Sequence, residues 1–296
     1  MPVRRLLLLA LAAVLLAGCG GSSTPKGPPA LLFVSSRDGD YAIYGADAQG
    51  DHVRRLVKEK GDPSTPTGLF FQGEPAWSPD GQLIAFTSHR DGNSHLFVIG
   101  SDGSGTRRLT NEGFDDDHPT WSPDGKRILF AREGALFVIP VTGGKPRRVG
   151  HGFGSAADPA WSPDGKLIAY DYRQPGYSIR ELWVMNADGT GIHRLTKLRQ
   201  VSALPAWSPD GKRIAFQSDA HESRNEIYTV GLDGSGLRQE THSDIDAISP
   251  AWSPDGKLLT FSRDGSLWTI DAAGNETELI SGGNDAAPSW RPVAPQ

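Results

Sequence analysis

Three features of the 296-residue sequence predict an all-β fold assembled from six four-stranded units. The first is a repeated pentapeptide. Trp-Ser-Pro-Asp-Gly begins at Trp77, Trp121, Trp161, Trp207 and Trp252, and a degenerate sixth copy stands at Trp290-Arg291-Pro292. Successive tryptophans lie 44, 40, 46, 45 and 38 residues apart, close to the period of about 40–45 residues that one propeller blade occupies. The second is a shared continuation of each copy: an apolar run such as Leu83-Ile84-Ala85-Phe86, a variable loop, a second run such as Leu96-Phe97-Val98-Ile99, a glycine turn, and Arg107-Arg108-Leu109-Thr110. The third is composition. With 36 glycines and 22 prolines the chain is far richer in turn residues than the background of about 12% for the pair.

Taken from the amino terminus, the chain opens with Arg4 and Arg5, an uncharged stretch from Leu6 to Leu16, and then Ala17, Gly18 and the single cysteine, Cys19. That stretch is too short to span a bilayer, which takes about 20 apolar residues, and it has the form of a secretory signal. Leu16-Ala17-Gly18-Cys19 resembles the bacterial lipobox, so residues 1–18 are expected to be a lipoprotein signal peptide and Cys19 the lipidated first residue of the mature protein. Residues 19–30 then form a lipidated cysteine and a flexible tether, small, polar and broken by proline. Loss of Arg4 and Arg5 takes the formal charge from −5 to −7. A second acyl chain makes such an anchor firm where one holds only marginally, and a lone cysteine leaves the fold without a disulfide.

Residues 31–296 are expected to be the propeller. Leu31–Ser36, Tyr41–Ala46 and His52–Leu56 supply a second, third and fourth strand with no tryptophan motif ahead of them, whereas Pro288-Ser289-Trp290 supplies a first strand with nothing after it. Joining the two closes the ring at six blades, the carboxy-terminal strand completing the first blade, and removes the open edge. The strand runs are apolar on both faces, which calls for a sheet covered on both sides, as radial stacking of blades provides. In each Ser-Pro-Asp-Gly, proline presets φ and glycine accepts φ > 0, the requirements of a tight hairpin. Asp80, Asp124, Asp164, Asp210 and Asp255 are therefore turn residues, and Trp77, Trp121, Trp161, Trp207, Trp252 and Trp290 are wedges between blades.

The unit is similar to the TolB-type propeller repeat, often described as WD40-like, and to units in the propellers of prolyl-oligopeptidase and tricorn-type proteases. The resemblance covers Leu31 to Pro292. It implies a six-bladed propeller, an extracytoplasmic location and a protein partner in the cell envelope. The type protein of the family carries an α/β domain ahead of the propeller, where this chain has Gly20 to Pro29, and it is soluble and periplasmic where this chain is expected to be lipid-anchored to a bacterial membrane. Protease relatives keep their catalytic triad on a separate hydrolase domain. G-x-S-x-G, H-E-x-x-H, P-loop and EF-hand patterns are all missing from this sequence, so no catalytic residue and no cofactor is assigned.

In a propeller the loops entering strand one and those joining strands two and three share the face around the channel. Entering strand one are Glu74, Asp115, Asp116, Asp117, His118, Asp158, Asp244, Asp246 and Asp285; between strands two and three lie Arg37, His89, Arg90, Arg132, Tyr172, Arg173, Arg180, His221, Arg224 and Arg263. An acidic funnel bordered by arginines and tyrosines suits an envelope protein or peptide carrying a basic group. Thirty basic against 35 acidic residues disfavour nucleic acid, and the body is expected to be monomeric. A second reading, a metal-dependent propeller lyase or other carbohydrate-active enzyme, would use His118, His151 and His242 as channel ligands.

Overall fold

The computed structural model describes residues 27–57, 72–150, 154–220 and 224–293. Cys19, the signal segment, His151 and His221 lie outside them. The described residues form six four-stranded antiparallel sheets and no helix. The first blade holds β1 (Leu31–Ser35), β2 (Ala42–Ala46) and β3 (Arg54–Arg55). The second holds β4 (Gln72–Trp77), β5 (Leu83–Asp91), β6 (Asn93–Gly100) and β7 (Arg107–Arg108). The third runs β8 (Asp116–Trp121), β9 (Arg127–Arg132), β10 (Ala135–Pro140) and β11 (Arg147–Val149). The fourth runs β12 (Ser155–Trp161), β13 (Leu167–Arg173), β14 (Glu181–Asn186) and β15 (His193–Arg194). The fifth runs β16 (Ser202–Trp207), β17 (Arg213–Ser218), β18 (Glu226–Gly231) and β19 (Arg238–Gln239). The sixth runs β20 (Ala247–Trp252), β21 (Leu258–Arg263), β22 (Ser266–Asp271) and β23 (Glu276–Ile280).

The last strand, β24 (Ala286–Trp290), pairs with β1 through Leu31↔Trp290 and Leu32↔Ser289. It gives the first sheet the order β24-β1-β2-β3. Consecutive inner strands touch around the ring, and β24 touches both β20 and β4. The predicted closure at six blades is what the chain forms. Outer strands are shorter than the sequence suggests: β3 pairs over two residues rather than the five of His52–Leu56. Brevity at an exposed sheet edge limits pairing with other chains.

The core is six apolar clusters, each shared by neighbouring blades. Leu32, Ile43 and Leu56 of the first blade pack on Trp77, Ile84 and Phe86 of the second, and Leu267 and Ile280 of the sixth return to Leu31, Phe33 and Tyr44 of the first. Each sheet therefore buries both faces, which is why its strands read as continuous apolar runs. Across strands two and three, every blade places an aromatic pair in register: Phe33↔Tyr44, Phe86↔Phe97, Phe130↔Phe137, Tyr170↔Trp183, Phe216↔Tyr228 and Phe261↔Trp268. Phe33, Phe86, Phe130, Phe216 and Phe261 are fully buried, each stabilising the fold by about 1.5–3 kcal/mol through burial.

The repeated turns are built alike. Ser78 Oγ donates to Asp80 Oδ1 at 2.6 Å, Gln82 N–H donates to the same oxygen at 3.0 Å, and Gly81 takes φ +65°. Asp124, Asp164, Asp210 and Asp255 repeat this arrangement, and the serine hydroxyl first, then the backbone N–H, holds each carboxyl below the usual aspartate range. Trp121 and Trp207 donate from Nε1 to the carbonyls of Ala76 and Ala160, both at 3.0 Å, and so bond each inner strand to the blade before it.

Candidate functional site: a six-residue ring in the channel

Every inner strand carries proline two residues before its tryptophan, at Pro75, Pro119, Pro159, Pro205, Pro250 and Pro288. The preceding residues, Glu74, His118, Asp158, Leu204, Ser249 and Ala287, all adopt left-handed backbone, with φ between 47° and 57°. At these points the ladder to the second strand breaks register, as between Gly73 and Ala76 and between Asp117 and Thr120. Proline has no N–H to give the ladder, and a bulge absorbs that loss. Each left-handed non-glycine residue costs about 1–3 kcal/mol, repeated at all six positions. Together the six Xaa-Pro pairs line an axial cavity of about 210 Å³.

The ring is chemically divided. Three successive blades contribute Glu74, His118 and Asp158; the other three contribute Leu204, Ser249 and Ala287. His118 Nε2 lies 2.9 Å from both Glu74 Oε1 and Asp158 Oδ1. The His118 N–H donates to Glu74 Oε2 at 2.5 Å, and Thr87 Oγ1 donates to the same oxygen at 3.2 Å. The Leu204 N–H donates to Asp158. Each acid thus reaches the ring residue of the next blade. Burial works against the charged imidazole, but hydrogen bonds and charge from Asp158 and Glu74 prevail and raise His118 well above 6.5. Burial likewise disfavours the Asp158 carboxylate, yet His118 holds it below 3.8. Beside them Asp171 is buried and its carboxyl is pushed up to about 7 by burial and by the charge of Asp158, against the pull of Arg180.

Around the mouth the predicted acids and arginines largely face one another. Buried Asp116 accepts from Arg132 Nε at 2.5 Å and Nη2 at 2.9 Å, while Arg132 also meets Glu112. Both oxygens of buried Asp285 accept from Arg37 Nη2, at 2.8 and 3.0 Å. Arg180 bonds Asp171 at 2.6 Å and Ser155 Oγ at 3.1 Å. Arg224 reaches Asp244 at 3.2 Å and Arg263 meets Glu276. Asp115 accepts from the Ser94 N–H at 2.8 Å, Asp117 meets the Ser94 hydroxyl, and Asp246 accepts from the Asn225 N–H at 2.6 Å. The Tyr172 hydroxyl accepts from the Gly154 N–H at 3.0 Å, and Arg173 is exposed. Arg37, Arg132 and Arg263 also cap the blade aromatics, Arg37 standing 5.3 Å over Phe33 and Arg263 4.9 Å over Phe261. These ion pairs fix the loops and leave the face with less free charge than its composition suggests.

Sequence reasoning missed two groups. Leu204, Ser249 and Ala287 share the ring, and the proline before each tryptophan was the available signal. Phe114, Tyr177 and Ile245, exposed by 41%, 66% and 46%, stand on the loops of the mouth face, without any periodicity to betray them. Of the histidines weighed as metal ligands, His118 is engaged by two carboxylates, His242 is exposed on the loop after β19, and His151 is outside the described residues. Among the described residues no group of three or more His, Cys, Asp or Glu is arranged to hold a metal ion.

A closed six-bladed propeller with a narrow axial cavity and a loop-bearing mouth defines a class of ring-shaped scaffold. Within it, the PD40 model, described as the TolB beta propeller domain, matches residues 21–134, 69–179 and 133–295. The chain belongs to the TolB β-propeller family. It is 35% identical over 68 residues to the Tol-Pal system protein TolB of Syntrophus aciditrophicus, covering 23% of this chain and 13% of that protein. It is 41% identical over 63 residues to the TolB of Gluconobacter oxydans, covering 21% and 14%. In structure it resembles TolB from Acinetobacter baumannii with a TM-score of 0.75 at 20% identity, over 89% of this chain and 66% of the other. These matches span well under two thirds of the sequence relatives' length.

Proposed function

We propose that the chain is a cell-envelope protein, lipid-anchored through Cys19 on the outer side of a bacterial membrane, whose propeller binds a protein or peptide segment at the channel mouth. The observation that carries this reading is the set Phe114, Tyr177 and Ile245, large apolar side chains left exposed on one face where Arg37, Arg132 and Arg180 are tied to buried acids. Exposed aromatic and aliphatic side chains on rigid supports are what a protein partner buries at the centre of an interface. Relatives named as components of the Tol-Pal system support an envelope setting. No catalytic role is assigned.

A photo-reactive residue placed singly at Phe114, Tyr177 or Ile245, and for comparison at Lys166 in an opposite-rim turn, tests the reading in intact cells. Discrete adducts with one protein are expected from the three mouth positions and none from residue 166. Adducts from all four positions alike, or from residue 166 alone, overturn the assignment of the face.

A further inference from the structure

Away from the channel, the same face carries a pit of about 560 Å³ over the outer half of the fourth blade. It is lined by Tyr172, Tyr177, Ile179 and Gln174, by Glu181, and by the cations Arg194, Lys197 and Arg199. We propose that this pit binds an anionic sugar residue, a uronate or a sugar phosphate, as a second site that shares only Tyr177 with the apolar set proposed for the channel mouth.

Three observations lead there. The first is charge: three cations face one carboxylate in a chain of net charge −5. Arg194 is paired with Glu181 at 3.0 Å, whereas neither Lys197 nor Arg199 has a carboxylate partner among the described residues. Two exposed cations without partners in a concave site are donors for a ligand carboxylate or phosphate. The second is shape. Ligand pockets run to about 300–1,000 Å³, so this one accepts one or two sugar rings, and the exposed Tyr177 offers a flat face with a polar tip for the apolar side of such a ring.

The third is the lone acid. Glu181 Oε2 takes the hydrogen bond from Arg194 Nη1, and Oε1 has no partner among the described residues. A polyhydroxylated anion uses both kinds of group, setting its charge against Lys197 and Arg199 and donating a hydroxyl hydrogen bond to Glu181. An acidic peptide without side-chain hydroxyls has only backbone N–H groups to donate to Glu181, so hexaglutamate is the comparison that isolates the contribution of the hydroxyls. The pit is also formed in advance. The Ser202 N–H donates to the Arg180 carbonyl at 2.9 Å, Arg180 is tied to Asp171 and Ser155, and the Tyr172 hydroxyl is held by Gly154. Its base is therefore rigid, which reduces the ordering cost of binding.

Calorimetric titration of the full chain in mild detergent at low ionic strength tests the site. The probes are trigalacturonate and glucose 1-phosphate, with maltotriose and hexaglutamate as controls. At least one anionic sugar is expected to bind, and which one distinguishes the uronate from the phosphate source. Maltotriose is expected to bind at least about tenfold more weakly, and Lys197→Ala and Arg199→Ala each to weaken binding about tenfold. Tyr177→Ala should weaken it several-fold. All three side chains are exposed, so the variants are expected to melt with the parent protein. Failure of both anionic sugars to bind, hexaglutamate binding as tightly as trigalacturonate, or unchanged affinity in the double variant Lys197→Ala/Arg199→Ala overturns the proposal.

Discussion

His118 is the residue on which the channel's charge balance turns. Its imidazolium lies between Glu74 and Asp158 at 2.9 Å from each, so removing it leaves two carboxylates facing one another in a confined space. His118→Ala is expected to destabilise the propeller by about 2–3 kcal/mol at pH 6. Adding Glu74→Gln should recover part of that loss, as read by urea unfolding; equal midpoints for parent and His118→Ala would show the ring charges to be independent. The pH dependence has a definite sign. Because the folded pKa of His118 is raised, its contribution is complete below 6.5 and is lost as pH rises through the elevated folded value. Asp158, lowered from 3.8, contributes above that value and loses its contribution as pH falls through its folded pKa. Asp171 opposes the pattern. With its carboxyl raised to about 7, the folded chain holds a proton that the unfolded chain releases above 3.8, so this group lowers stability as pH climbs through that window. None of this coupling was legible in the sequence, because Glu74, His118 and Asp158 are some 40 residues apart and meet only when three blades are stacked.

At the scale of the strand, the sequence disclosed its architecture readily and its polar wiring hardly at all. Trp-Ser-Pro-Asp-Gly announced both the wedge and the turn, since glycine at φ +65° and a serine-capped aspartate are local requirements. The fate of each indole N–H was hidden, because it depends on the neighbouring blade. Trp121 Nε1 reaches Ala76 across the blade boundary, whereas the buried Trp161 Nε1 has no partner among the described residues. The same substitution should therefore have unequal effects. Trp121→Phe removes an interblade hydrogen bond, and is expected to cost about 1 kcal/mol more than Trp161→Phe, which removes a donor without a partner among the described residues. Chemical denaturation of the two variants measures the difference, and equal losses would mean that packing alone sets the value of the wedge. The arginines show the same limit. Placed by the sequence on the border of the acidic funnel, Arg37, Arg132 and Arg263 are found capping aromatic pairs and pairing with Asp285, Asp116 and Glu276.

For the molecule as a whole, stability rests on the chain returning to its own first blade. β24 supplies the inner strand against β1, the Arg291 N–H donates to the Ala30 carbonyl at 2.8 Å, and Trp290 Nε1 donates to Thr260 Oγ1 of the sixth blade at 2.8 Å. The Arg291 guanidinium stands 5.7 Å over Trp77 of the second blade, so the final strand joins three blades at once. This closure was legible, because three strands at the start lacked a motif and one motif at the end lacked strands. Deleting residues 288–296 should leave the edge of β1 unpaired and uncover apolar surface on both flanking blades, conditions that favour association with another chain. A fall in melting temperature on the order of 10 °C is expected, together with oligomers detectable by light scattering. Trp290→Ala alone keeps the backbone ladder and should lower the melting temperature less, without oligomers. A truncated chain that stays monomeric and melts with the parent would mean that the six interblade clusters hold the ring without its last strand, and that the edge of β1 is protected by something other than pairing.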